Sequence, residues 1–439
     1  APVPDTLADE RYNSDAFAAE IASNADLYVR APWKTGKTVF AGKIIGELLE
    51  RDPNARVLVI TCRKTLSTAL AADFAATDYR RIKGDFTEEV AKRHPVTVWQ
   101  IESLRRIPSE LRAFDLVVVD EPGAAFAHVY QPNANSKARG GLSKARGLIR
   151  AAKRLYVSDN DLTEAHIDAF KAIRTDKTAR VLVNEFKSWK DVPTRVTTGK
   201  AAPTVVRQRL FDFLDAQVEA RKAGRPWTGC VVPCHSRKVA NGIAEEVRQR
   251  YGSDGVKLYT SESDQHEKDV DFARATAAWS DSLAVVYTGS LSVGVSATTE
   301  HITHCFAFFT SGNAGVAQSC QMLFRARELR EIEIAYDGVV IHGLPQTELQ
   351  LFDWATKAGQ RGAIPDQFRA DLMPDGVFGG LQTQEDPSAL STVVNGSFEG
   401  RAWVCDQLER HRSARWFIPR MIRTLEAAGC TVTVSSVGR

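Results

Sequence analysis

With 439 residues, 44% of them hydrophobic and 25% charged, the chain can bury two or three sizeable cores and has the composition of an ordinary globular protein. A formal charge of +3 is too small to require a polyanionic partner, although basic residues can still gather on one face. Seven scattered cysteines without a framework spacing argue against a disulfide scaffold and read as free thiols, and no apolar run approaches the roughly 20 residues that span a bilayer.

The start, APVPDTLADERYNSD, has neither a basic n-region nor an apolar h-region, so the expected location is the cytosol, or the nucleus and cytoplasm of a host cell. The chain begins without Met and stops just after an apparent strand, CTVTVSSVG, and so reads as a segment of a longer polypeptide. Residues 1–26 form a lead-in. From 27 to 200, the short β-rich runs LYVR, RVLVIT, PVTVWQ, DLVVVDE, RLYVSD and RVLVNE alternate with helical stretches such as KTVFAGKIIGELLERD. That alternation predicts a parallel sheet covered by helices on both faces. A polar connection, SWKDVPTRVTTGKAAPT, leads to a second series over 201–345: the helix VVRQRLFDFLDAQVEARKAG, then TGCVVPC, VKLYTS, LAVVYTG, ITHCFAFFT and YDGVVIHG. Residues 346–439 read as a mostly helical region, interrupted by LMPDGVFGGLQTQEDPS and ending in the helix SARWFIPRMIRTLEAAG before the last strand. The expected fold is thus α/β, with two α/β domains in tandem and a mostly helical C-terminal region.

The first strand runs into APWKTGKT. Gly36, Lys37 and Thr38 supply the end of the pattern G-x-x-x-x-G-K-[ST], while Ala31 stands at its first glycine and Trp33 and Lys34 replace the usual small residues. Backbone N–H groups at the following helix start would cradle phosphates, Lys37 would reach the β- and γ-phosphates of ATP, and the Thr38 hydroxyl would ligate Mg²⁺. The buried strand of FDLVVVDEP delivers Asp120 as a second Mg²⁺ ligand and Glu121 to orient or deprotonate water. In AQSCQMLFRARELR, Gln321, Arg325 and Arg327 fall on an expected helix, and an arginine from the second domain would stabilise charge on the γ-phosphate.

The ordered set resembles the superfamily-two helicases and, within them, is similar to the viral origin-binding-protein type of replicative helicase. APWKTGKT stands as motif I, ITCRKTLSTALAADF as motif Ia, VWQIESLRRI as motif Ib, VVVDEP as motif II and AAKRLYVSDNDLT in the place of motif III. GCVVPCHSRKVANGIAEEV resembles motif IV, VVYTGSLSVGVS motif V and QMLFRAR motif VI. The resemblance implies two RecA-like domains. It also implies that Arg63, Lys64, Thr65, Gln100 and Ser103, then Ser236, Arg237, Thr288, Gly294 and Ser296, face a nucleic-acid backbone, and that Ser158 and Asp159 couple the two events. Hydroxyls, backbone N–H groups and arginines bind phosphates without reading bases, as a translocating protein requires. The chain departs from the family at DEPG, at Phe324 in place of glycine, and at the spacing of Arg327 from Arg325. No adenine-reading glutamine segment stands upstream.

Cys230, Cys234 and His235, and the HITHC of residues 301–305, lack the second ligand pair of a zinc site. The basic stretches 137–155 and 410–423 read as solvated helix faces over a core, with a grip on single strands as the alternative. The expectation is an ATP- and Mg²⁺-dependent DNA helicase or translocase that acts in replication, with DNA as partner and other replication proteins or fused domains alongside. Its rivals are a helicase-like binding module with weak ATPase activity and a terminase-like packaging ATPase. The latter needs a carboxylate cluster at strand ends, whereas Asp264, Glu267, Asp269 and Asp271 lie in a polar helical stretch.

Overall fold

The computed structural model describes residues 2–62, 64–130, 136–291, 296–312, 314–357, 360, 363–373 and 386–438, with side chains left out at Lys64, Thr65, Ser136, Lys137 and positions 254, 265, 269, 273 and 290. The chain divides into two compact units, residues 1–186 with 341–415 and residues 187–340 with 416–439.

The first unit is built on β1 (Thr6–Ala8), β2 (Asp26–Arg30), β3 (Val57–Thr61), β4 (Thr77–Asp78), β5 (Val96–Gln100), β6 (Leu116–Asp120), β7 (Arg154–Asp159) and β8 (Ala179–Asn184). Their order is β1-β8-β2-β7-β6-β3-β5-β4, and every pairing is parallel. Each residue of β3 and β5 is buried, which is why these strands read as continuous apolar runs: a parallel sheet is covered on both faces. The six long strands lie where the apolar runs put them, whereas the short edge strands β1 and β4 carry no such run. Four helical segments from the C-terminal region join this unit: Glu348–Thr356, Asp366–Asp371, Pro387–Asn395 and the first part of Phe398–Ala427. Phe398 packs its ring 5.8 Å from Phe126 and 5.3 Å from Phe170, so this region shares the core of the sheet.

The second unit holds β9 (Pro193–Thr198), β10 (Gly229–Pro233), β11 (Val256–Tyr259), β12 (Ala284–Tyr287), β13 (Ile302–Phe309), β14 (Glu331–Tyr336) and β15 (Thr431–Ser436). Their order is β11-β12-β10-β13-β14-β9-β15, again parallel throughout. Two expectations are corrected. The stretch expected to be a connection contains β9, and the strand expected at YDGVVIHG is instead the preceding EIEIAY. Glu333 looks like a surface residue in sequence, yet it is 2% exposed because Arg195 and Arg209 bind its carboxylate at 2.5 and 2.8 Å. Val339 and Val340, which suggested the strand, lie 68% and 53% exposed after it.

The helix Phe398–Ala427 breaks at Trp416 (φ −122°, ψ 34°), the residue at which the second unit takes over. Pro419 explains the break, because it has no N–H for the fourth carbonyl before it and its ring crowds that turn. Among the described residues no helix is long and apolar enough to cross a membrane.

Candidate functional site

In the first unit, chemistry-bearing residues converge where β2, β7 and β6 end side by side. The chain leaves β2 through Ala31 and Pro32 and enters the helix Lys37–Arg51 at Gly36, whose left-handed backbone (φ 70°, ψ 36°) needs glycine. Lys34 is also left-handed (φ 65°), and the bulky Trp33 is buried beneath the loop. Lys37 Nζ donates to the carbonyls of Ala31 at 2.8 Å and Pro32 at 3.0 Å, so the ammonium lies inside the curl of its own loop. Thr38 opens the helix beside it and is partly exposed. Phe40 anchors the helix from below, its ring 5.9 Å from Tyr156 and 6.0 Å from Phe17.

The loop is braced by residues that no motif announces. Thr35 Oγ1 donates to the Pro32 carbonyl at 2.6 Å, and the Thr35 carbonyl accepts from Asn13 N at 2.8 Å. Asn13, fully buried, accepts in turn from Asn184 Nδ2 at 2.9 Å, tying the loop to the end of β8. The next residue back, Tyr12, is 44% exposed, and its ring comes within 3.6 Å of a Cβ position built on Gly36. Local sequence carries no signal for this brace, because Asn13 and Asn184 lie 171 residues apart.

Asp120 ends β6 next to Ser158 of β7, whose hydroxyl donates to its carboxylate at 2.9 Å. Burial pushes the Asp120 carboxyl up to about 6, against the opposing pull of Lys37 and of the Ser158 hydrogen bond. Glu121 is held in a left-handed conformation (φ 55°, ψ 60°), its N–H bonded to the Ser158 carbonyl at 2.8 Å. A non-glycine residue in that region is strained, and such strain gathers at functional sites. Asp159 is buried and ties three segments: its carbonyl accepts from Ala31 N at 3.1 Å, and its carboxylate from Gly123 N at 3.2 Å and Asp161 N at 3.3 Å. A side chain at Gly123 would meet that carboxylate at 3.3 Å and His166 Nε2 at 3.6 Å, which accounts for glycine in DEPG.

Of the residues expected to face nucleic acid from this unit, Arg63 lies outside the described residues, and Lys64 and Thr65 open the helix Lys64–Asp73. Ser103 is partly exposed on the 3-10 turn Ile101–Arg106. Gln100 is buried, and its amide is engaged by the Cys62 carbonyl (3.4 Å), Glu102 (3.1 Å) and the Tyr79 hydroxyl (3.0 Å), so its side chain positions neighbouring strand ends.

The second unit is organised differently. Ser236 caps the helix Arg237–Tyr251, accepting from Val239 N at 3.5 Å, and Arg237 pairs with Glu262 at 2.7 Å. With His235, Lys238 and Asn241, these residues line an open depression of about 670 Å³. His235 itself is engaged through Nδ1 with Thr310 (2.9 Å to its carbonyl) and through Nε2 with Ser319 Oγ at 2.8 Å, and it stacks on Phe309 at 4.3 Å. Burial pushes its imidazole down to about 4, so it is neutral and links the start of the 237–251 helix to the helix Val316–Leu323. Thr288 follows β12 with its N–H bonded to the Tyr259 carbonyl at 3.1 Å, Ser296 is exposed, and Gly294 lies outside the described residues. Gln321 is buried on the Val316–Leu323 helix. Arg325 and Arg327, expected on that helix, lie beyond its end. Phe324 closes the helix against Trp189 (4.6 Å), and Ala326 forms a parallel bridge with Ala297, so strand-like pairing replaces helix here. Arg325 is 6% exposed and Arg327 partly so. Cys230 and Cys234 are buried, and burial raises both thiols far above their ordinary range.

The chain matches the family described as origin of replication binding protein over residues 16–196. It is 25% identical over 368 residues to the replication origin-binding protein of human herpesvirus 2, a match covering 77% of this chain and 40% of that protein. An African swine fever virus protein named for a helicase/primase complex is 22% identical over 308 residues, 69% of this chain and 27% of the relative. The chain therefore spans less than half the length of these curated relatives. Among solved structures, the DEAD-box helicase Mss116 bound to single-stranded RNA superposes with a TM-score of 0.57 at 12% identity, covering 95% of this chain and 86% of the other. MrfA bound to DNA gives 0.53 at 15% identity over 80% and 50%, and the Mycobacterium smegmatis helicase Lhr bound to single-stranded DNA and AMP-PNP gives 0.52 at 16% over 95% and 55%. These likenesses establish the fold as two RecA-like units with an added helical region.

Proposed function

From the premise that this chain is a superfamily-two helicase of the viral origin-binding-protein type, we propose that it hydrolyses ATP to move along or unwind DNA during replication. One observation carries the reading: Lys37, Asp120, Glu121, Ser158 and Asp159 converge at the ends of three adjacent parallel strands, beside a helix that starts at a left-handed glycine. Ligands bind at such strand ends, and a helix start presents unpaired N–H groups to phosphate.

The residues fit ATP and Mg²⁺. Thr38 and Asp120 offer hard oxygen donors of the kind magnesium takes, and the Lys37 ammonium, held by two loop carbonyls, can exchange them for phosphate oxygens. Bound magnesium would neutralise charge on the β- and γ-phosphates. Ser158 holds Asp120 by its hydroxyl, and Glu121, in a left-handed turn at the end of β6, would orient or deprotonate the attacking water. Asp159 joins the phosphate loop to DEPG, so a shift in one is felt in the other. Tyr12, exposed beside Gly36, would stack on the base. From the second unit, an arginine, Arg327 or Arg325, would complete the charge stabilisation. Ser236, Arg237, Thr288, Gly294 and Ser296, with Arg63, Lys64, Thr65 and Ser103 of the first unit, would hold the DNA backbone, and other replication proteins are expected partners.

The bonds of Lys37 to its own loop favour one second reading, a core that grips DNA and turns over slowly. ATP hydrolysis by the purified chain alone, and with single-stranded DNA, duplex DNA or RNA, separates the two. Strong stimulation by DNA supports the motor, whereas no hydrolysis in any arm rejects it.

A further inference from the structure

Between Glu121 and Asp159 the chain has no acidic residue, yet it carries Lys137, Arg139, Lys144, Arg146, Arg150, Lys153 and Arg154. Its helix, Ser136–Ala151, also contains Gly140, Gly141 and Gly147, each of which costs about 1 kcal/mol against alanine in a helix interior. Close approach explains Gly141. A Cβ there would lie 2.1 Å from the Ile101 carbonyl oxygen and 3.1 Å from Glu102 Cα, so the helix backbone rests directly on the 3-10 turn Ile101–Arg106. Lys144 Nζ donates to Ser109 Oγ at 3.0 Å, and Arg105 Cδ lies 3.3 Å from the Cβ position of Gly140. The helix is thus seated on the turn that carries Ser103. Arg106 of that turn donates to the carbonyls of Ile82 and Gly84 at 3.1 and 3.4 Å, which brings the Arg81–Lys83 segment alongside.

Helical spacing sorts the other side chains. Ala138, Leu142, Ala145 and Ile149 are buried on one face. On the opposite face Gly147 and Ala151 are exposed and small, with nothing within 4 Å of a Cβ position at Gly147, while the Arg105 side chain lies against Gly140. Lys144 flanks this face toward the turn, and Arg139, Arg146 and Arg150 flank it on the other side. Arg139 and Arg146 are partly neutralised by Asp366 at 3.8 Å and Glu399 at 3.1 Å, whereas Arg105 and Arg150 are exposed.

We propose that this helix, with Arg105 and Arg106, is a second rail for a single strand of DNA, extending the nucleic-acid track of the first unit beyond the 101–106 turn. The inference rests on the helicase reading above. The small residues Gly147 and Ala151 let a sugar–phosphate backbone lie close, and Arg105 on one side and Arg150 on the other reach its phosphates without reading bases.

All seven native thiols are buried, so a Gly147→Cys variant of the full chain can be labelled selectively with a photo-crosslinker. That label should crosslink to oligo-dT. In anisotropy titrations over a salt series, Arg150→Glu and Gly147→Glu should each weaken oligo-dT binding about tenfold and lower the salt slope by about one. Thermal unfolding like that of the wild type serves as the fold control. Wild-type affinity and slope in both variants, with no crosslink from position 147, overturns the rail and leaves the helicase reading standing. Failure of the wild-type chain to bind oligo-dT removes both, and tighter binding to an RNA of equal length overturns the assignment to DNA.

Discussion

The two units share one architecture, a parallel sheet of eight or seven strands, and use it in different ways. In the first, the candidate functional groups stand on the ends of three neighbouring strands, with left-handed residues at Lys34, Gly36 and Glu121. In the second, they sit on a helix start, on the turns after β12 and beyond the Val316–Leu323 helix, and a buried neutral histidine ties the first of these places to that helix. Strand ends in a closely hydrogen-bonded sheet fix atoms tightly enough for phosphate chemistry. Helix starts and turns tied by a few side-chain bonds can shift without unfolding a sheet, which suits groups that must follow a ligand. Damage to the first unit should therefore abolish chemistry, and damage to the second should loosen its coupling to DNA.

The sharpest test of that contrast is Lys37→Ala, which should take ATP turnover below detection with the fold intact by circular dichroism. Turnover near the wild-type rate would show that APWKTGKT is not the phosphate site. Next comes the pair of arginines. Arg327→Ala should lower kcat by about 10³ with little change in Tm, as expected for a group that touches transition-state charge. Arg325→Ala should lower Tm as well, because its side chain is buried. The reverse pattern would exchange their roles. Glu121→Gln should reduce kcat by about 10² to 10³ while leaving nucleotide binding near wild type, measured with a fluorescent analogue.

The smallest effect is expected at His235. His235→Ala should raise the DNA concentration needed for half-maximal stimulation several-fold and change turnover without DNA by less than about twofold, and His235→Asn should restore part of the loss. Its imidazole is held at about 4 when folded, below the ordinary value near 6.5, so the unfolded chain takes up the proton first. The stability it contributes is fully present above pH 6.5 and is lost as pH falls toward 4, on the order of 3 kcal/mol. Denaturant titrations of wild type and His235→Asn over that range should converge at low pH. Parallel curves would assign the lost stability to other groups.

Much of this was legible in the chain. The six long strands of the first unit announce themselves because strands buried on both faces must be continuously apolar; APWKTGKT follows one of them, and DEP begins on the last residue of another. Less legible was EIEIAY, whose glutamates look solvated until Arg195 and Arg209 are placed beside them. Arg325 and Arg327 carry helix-compatible neighbours, and only the bridge between Ala297 and Ala326 draws them out of the helix.

The sequence alone determined the class of fold, the positions of the six long strands of the first unit and the residues that stand at their ends, because each follows from local apolar period and from glycine where the backbone turns left-handed. Tertiary structure alone decided the Asn13–Thr35–Asn184 brace, the seating of Gly141 on the 101–106 turn and the sharing of the C-terminal stretch between two units. The physical reason is common to all three. Whether a polar group is buried, or a glycine is required, depends on a partner brought from far along the chain, and that partner leaves no mark on the local pattern.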